Sequence, residues 1–272
     1  MQSRGTFLRV KIFERMKFFG RSSLALSVLF ASPAAHAFII GPDAYSADAR
    51  DYSYVCMIRV SGSYFDNDGV DNICSGTLIS ETEVVTAAHC FSKDFDLNQG
   101  NVTVTCGGHS TPSVQSVDLP SVWTDSNHTD VLHDTARIHF KKEAQQDYIL
   151  TSSGVEEFFI PYGPIKPGVE CRVAGFGIDR YGSPGRLHTW NVVGKTISVE
   201  SGAIQVQETD NSLLKTSVDG GDSGGSFICR NPTATTLDHR WKLTGITQSF
   251  YYKKPNTDHR TSDVFVPIWR SL

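Results

Sequence analysis

The sequence predicts an all-β protein, a sandwich or barrel assembled from many short strands. Three observations lead there. Beyond Phe38 no long stretch keeps a 3.6-residue apolar period, whereas alternation with period 2 recurs throughout. Turn-forming clusters interrupt these runs at intervals on the order of ten residues, the spacing of a strand-and-turn architecture. The composition, 39% hydrophobic and 20% charged with 23 Gly and 11 Pro in 272 residues, is that of a globular chain able to bury a core.

Taken in order, residues 1–37 form a segment of their own. Arg4, Arg9, Lys11, Arg15, Lys17 and Arg21 face the single acid Glu14, a short apolar run spans Leu24 to Phe30, and Ala35-His36-Ala37 supplies small residues around a cut. This pattern predicts a secretory signal peptide cleaved after Ala37, with Met16 as an alternative start; the apolar run is too short for a stable membrane span. Without it, 235 residues remain with 19 basic and 28 acidic side chains, a net of −9 against −4 for the whole chain. An acidic exported protein is a poor partner for nucleic acid or anionic membrane. A secreted or periplasmic protein is expected.

Tyr54, Cys56, Ile58 and Val60 then alternate with other residues, as do Val102, Val104 and Cys106, and Ala136, Ile138 and Phe140, each set reading as a half-buried strand. Asp66-Asn67-Asp68-Gly69, Gly107-Gly108, Gly163-Pro164 and residues 181–185 read as turns. A polar, then Pro-containing stretch over 141–168 offers a join between two halves, about 38–150 and 151–272. Residues 264–272 are read as a short C-terminal helix. All six cysteines, 56, 74, 90, 106, 171 and 229, fall in the exported part, so three disulfides are expected. No C-x-x-C or H-x-x-x-H spacing supports a zinc site, and Asp66–Asp71 lacks the downstream Glu of a calcium loop; neither a metal nor a cofactor is implied. Asn101-Val102-Thr103 and Asn127-His128-Thr129 are glycosylation sequons, meaningful only in a eukaryotic secretory pathway.

Two segments carry chemistry. Val84-Val85-Thr86-Ala87-Ala88-His89-Cys90 and Asp219-Gly220-Gly221-Asp222-Ser223-Gly224-Gly225-Ser226 resemble the two signatures of the chymotrypsin/trypsin-like serine proteases, one around a general base and one around a nucleophile. Asp134-Thr135-Ala136-Arg137-Ile138 resembles the strand start carrying that family's buried acid, and the order His, Asp, Ser is that family's. Asp130 is a nearby rival, but Ala136, Ile138 and Phe140 continue the Asp134 face. A serine hydroxyl is a weak nucleophile at neutral pH and needs a base within reach, a task suited to an imidazole with an unperturbed pKa of about 6.5. The resemblance therefore implies a catalytic triad of His89, Asp134 and Ser223, with the N–H groups of Gly221 and Ser223 forming the oxyanion hole, at roughly 3 kcal/mol per donor.

The resemblance implies more. The fold becomes two six-stranded antiparallel Greek-key barrels with a short C-terminal helix and the cleft between them. Cys74 pairs with Cys90 and Cys171 with Cys229, which leaves Cys56 with Cys106, both on apolar faces of their strands. Ile39-Ile40-Gly41-Pro42 resembles the activated N-terminus whose amine meets the acid before the serine, here Asp222, so Phe38 must be trimmed to expose Ile39. The specificity pocket departs from relatives: Ser217 stands at its floor, Asp219 replaces a cysteine, and either Gln248 takes the wall serine's place or one residue is inserted and Ser249, Phe250 and Tyr251 form the wall. A narrow or reshaped pocket without strict preference for Arg or Lys follows. The expected partners are protein or peptide substrates and proteinaceous inhibitors, and the expected state is a monomer. The alternative reading is a catalytically silent homologue that binds proteins through the same cleft, and a third is an esterase without peptidase activity.

Overall fold

The computed structural model describes residues 44–48, 51–61, 72–91, 95, 97, 101–111, 113–125, 130–141, 165, 169–178, 184–192, 195–208, 216–230, 241–252 and 260–268, with backbone alone at 44, 45, 125, 200, 208, 250–252, 260 and 261. The signal segment, the Asp66–Asp71 turn, the Asn127 sequon, Ile39 and most of the 141–168 join lie outside these residues.

Fifteen strands run through the described residues: β1 Ala44–Ser46, β2 Val55–Ser61, β3 Asn72–Ser80, β4 Glu83–Thr86, β5 Asn101–Cys106, β6 His109–Ser110, β7 Val114–Asp118, β8 Ala136–Phe140, β9 Cys171–Gly175, β10 His188–Val192, β11 Lys195–Glu200, β12 Ala203–Glu208, β13 Ser226–Arg230, β14 Trp241–Tyr252 and β15 Arg260–Pro267. They form two antiparallel sheets, ordered β6-β5-β2-β3-β4-β8-β7 and β1-β10-β9-β13-β14-β15-β12-β11. Among the described residues, helix is limited to one short α-helix, Ser121–Asp125, two 3₁₀ turns, Ala88–Cys90 and Val131–His133, and the single 3₁₀ residue Ile268 after β15. This is the all-β, chymotrypsin-like two-barrel fold that the sequence predicts. The sheets carry seven and eight strands rather than six each, and β1 joins the sheet of the second half by pairing with β10.

The C-terminal helix is corrected over 264–267. Val264–Pro267 belongs to β15, which pairs with both β12 and β14. A strand covered on both edges and both faces loses its period-2 pattern, which is why Val264, Phe265 and Val266, all buried, read ambiguously in sequence.

Alternation elsewhere is borne out in burial. Cys56, Ile58 and Val60 of β2 point into the first core with Val102 and Val104 of β5 and with Ile138 and Phe140 of β8. Trp190, Val206, Phe227 and Phe265 fill the second core, where the Phe227 and Phe265 rings stack with centroids 4.4 Å apart. A third cluster joins the sheets: Val55 and Val85 from the first meet Ala174, Ile228, Leu243 and Ile246 from the second. Each fully buried aliphatic side chain there contributes on the order of 1.5–3 kcal/mol, so the junction itself is a core and holds the loops of both halves in fixed relation. The Thr77 and Ser226 hydroxyls share a buried hydrogen bond of 2.6 Å across it.

The three disulfides are Cys56–Cys106, Cys74–Cys90 and Cys171–Cys229. Cys56 lies directly opposite Cys106 in the β2–β5 ladder, and Cys171 opposite Cys229 in β9–β13.

Candidate active site

β4 ends at Thr86, and the chain turns at once through the 3₁₀ segment Ala88–Cys90. The Cys74–Cys90 bridge pins that turn to β3, presenting His89 with its side chain 24% exposed. Its partner arrives from the first residues before β8. Asp134 is completely buried, its Oδ2 lies 2.6 Å from His89 Nδ1, and its Oδ1 accepts the His89 main-chain N–H at 2.8 Å. Both carboxylate oxygens are thus held by one residue, which fixes the ring orientation and favours the tautomer protonated at Nδ1. Asp130 has a different role: its Oδ1 accepts the Leu132 N–H and its Oδ2 lies 2.9 Å from His133 Nδ1, capping the next turn.

Ser223 lies on the loop between Thr216 and β13, partly exposed, and the chain beside His89 touches it: Cys90 Sγ is 3.9 Å from the Ser223 carbonyl oxygen. Backbone bonds shape this loop, Asp222 N to Asp219 O (2.9 Å), Gly225 N to Asp222 O (2.7 Å) and Gly224 N to Thr247 O (2.7 Å). Among the described residues, the N–H groups of Gly221 and Ser223 make no such bond. Two unengaged donors flanking a tight turn are what an anion-binding recess requires. Gly221, with φ +90°, adopts a conformation costly for any side-chain-bearing residue.

Gly224, with φ +79°, is constrained further, because a Cβ there would collide with Thr86 Oγ1 and the Ser75 carbonyl oxygen and come within 2.7 Å of the Ala87 nitrogen. Gly224→Ala is therefore expected to destabilise the fold by about 3 kcal/mol or more, read as a lowered midpoint in denaturant unfolding. A midpoint equal to the parent's would contradict the close approach.

Asp222 is wholly buried, and its oxygens accept the N–H groups of Gly177 (2.9 Å) and Asp219 (3.0 Å). Loss of water pushes its carboxyl up to about 8 despite those two bonds, which act in the opposite direction. Ile39, its expected partner, lies outside the described residues.

The residues expected to line the pocket lie in different surroundings. Ser217 is buried and donates to Asp263 Oδ1 at 2.5 Å, while Val218 N donates to Oδ2 at 3.2 Å. Asp219 is half-buried. In β14 the register against β15 slips between Thr247, opposite Phe265, and Ser249, opposite Val264, so Gln248 is the additional residue. Ser249, Phe250 and Tyr251 follow the bulge in line, opposite Val264, Asp263 and Ser262. The Ser249 hydroxyl bonds Gln248 Oε1; the side chains of Phe250 and Tyr251 are outside the described set. Sequence reading missed Asp263. The signal was a lone acid directly before the apolar run Val264-Phe265-Val266, and it gains meaning only where β15 lies beside Ser217.

Comparison with known proteins identifies the family. The family model described as Trypsin matches residues 44–272. Among curated proteins, "Granzyme-like protein 1" of Rattus norvegicus is 26% identical over 84% of this chain and 91% of its own length. "Duodenase-1" of Bos taurus is 27% identical over 84% and 90%. "Submandibular glandular kallikrein-9" of Rattus norvegicus is 26% identical over 76% and 81%. A family model spanning 44–272, on a two-sheet all-β fold with three disulfides, places the chain in the chymotrypsin/trypsin-like serine protease family.

Proposed function

We propose that the protein is a secreted or periplasmic serine endopeptidase. The observation carrying this reading is the fully buried Asp134 holding His89 through two bonds while Ser223 stands on the adjoining loop. Ser223 Oγ attacks a peptide carbonyl carbon as His89 takes its proton, and the carbonyl oxygen becomes an anion facing the Gly221 and Ser223 N–H groups. Collapse breaks the C–N bond, and the amine leaves with the proton returned by His89. Water, deprotonated by His89, then attacks the acyl-Ser223 ester and releases the acid. Cleavage of an unfolded protein distinguishes this from an esterase, which would hydrolyse activated esters and leave every denatured protein intact.

The pocket is read as reshaped and not strictly selective for basic residues. Asp263 supplies an acid beside Ser217, but its side chain is fully buried and both oxygens are engaged. A peptide-library profile is expected to show no strict cleavage after Arg or Lys; such strictness would contradict this account.

Activation is assigned to removal of Phe38. The Ile39 amine would give Asp222 the cation its burial demands, ionising a carboxyl that otherwise keeps its proton up to about 8. The unpaired form has a folded pKa above the unfolded 3.8, so the Asp222 contribution to stability is present below pH 4 and lost as pH rises toward 8. The form beginning at Ile39 escapes that loss until its amine deprotonates, above an unperturbed value of about 8. Thermal melting from pH 4 to 9 and kcat/KM of both forms should show activity and retained neutral-pH stability only with Ile39 first; equal activity with Phe38 in place would overturn the assignment.

A further inference from the structure

We propose that Ser75 is a positioning residue that locks the peptide between the two oxyanion donors, an inference resting on the protease reading above. Ser75 is a β3 residue with no exposed surface, yet it sits where three parts of the molecule converge. Its Oγ accepts the Phe176 N–H at 2.8 Å, from the segment following β9, and lies 2.8 Å from the Gly221 carbonyl oxygen. A hydroxyl has one proton, and the Phe176 N–H must donate; the Ser75 proton therefore goes to Gly221. The Ser75 N–H donates to the Ser223 carbonyl at 2.8 Å, and its own carbonyl accepts the Thr86 hydroxyl at 2.6 Å, three residues before His89.

The consequence is geometric. The oxyanion donors belong to the peptides Gly220–Gly221 and Asp222–Ser223. The peptide between them is Gly221–Asp222, whose carbonyl Ser75 holds. A glycine pair at 220–221, with Gly221 at positive φ, has little intrinsic resistance to peptide rotation. With the middle carbonyl tied to Ser75, the Gly221–Asp222 peptide that sets the two donors' relative direction cannot turn without breaking a buried bond and leaving an acceptor on Gly221 and a hydroxyl unsatisfied. The same side chain ties the Phe176 amide, so the latch links the first sheet, the start of the second and the nucleophile loop.

The test compares Ser75→Ala, Ser75→Gly and Ser75→Thr with the parent on an activated ester and a peptide substrate, with rates expressed per active site titrated by a fluorophosphonate taken to completion. Ser75→Ala is expected to lower kcat about 10- to 100-fold, the scale of a misplaced catalytic group, with KM within twofold. Ser75→Gly, which removes the same hydroxyl, gives the same split if the alanine variant does not fold, and Ser75→Thr restores kcat by returning the hydroxyl. A purely structural role would lower the titrated fraction and the melting temperature while leaving kcat per site unchanged; that result, or parental kcat in both hydroxyl-less variants, overturns the inference. A parent protein that is neither titrated nor active overturns the protease reading as well, so the two failures are distinct.

Discussion

Ser223→Ala is expected to reduce peptide hydrolysis by about 10⁴-fold or more while leaving the folded structure in place, and His89→Ala should cost about as much, because nucleophile and base act as a unit. The double variant should lose little beyond either single one. That non-additivity separates a catalytic pair from two structural residues, whose effects would sum on stability. Ser223 is partly exposed and its hydroxyl is not part of either core, so melting of Ser223→Ala should stay near the parent's. Steady-state kinetics on one peptide, beside thermal melting of each variant, makes the comparison. Losses that multiply across the double variant would contradict the shared role.

Asp134→Asn should lower kcat by about 10⁴-fold, and the reason lies in which atoms meet. One carboxylate oxygen accepts the His89 main-chain N–H and the other faces His89 Nδ1. An asparagine must turn its only oxygen to one of these. If it serves the main-chain N–H, its amide group points at Nδ1, and the ring is driven to the tautomer protonated on Nε2, unable to accept the Ser223 proton. Shape and packing survive, so activity falls far more than stability. Asp130→Asn provides the contrast: Asp130 caps the Val131–His133 turn, and its substitution should leave kcat within about twofold. Equal losses at 130 and 134 would remove the distinction.

Much of the site was legible because its signals are local. The residues flanking His89 and Ser223 build tight turns within a few positions of each side chain, and Asp134 stands two residues before a strand whose Ala136, Ile138 and Phe140 all prove buried. The strands of one-sided sheets announced themselves by alternation for the same reason. What stayed hidden is long-range. Ser75 reads as one more small strand residue until β3 meets Gly221, 146 positions away. Asp263 looks misplaced until Ser217, 46 positions back, closes on it. The end of β15, 264–267, reads as the start of a helix because pairing on both edges and burial on both faces erase its period. The bulge at Gln248 is equally invisible in the composition of β14, because only the pairing to β15 shows which residue the partner strand skips.

Chemical labelling decides whether Ser223 is a nucleophile made reactive by His89. The protein is treated with a fluorophosphonate and the adduct located by peptide mass spectrometry, in the parent and in His89→Ala. One phosphonate is expected on Ser223 in the parent and none in the variant. Labelling unchanged by His89→Ala, or no labelling of Ser223 in a parent beginning at Ile39, would contradict that role.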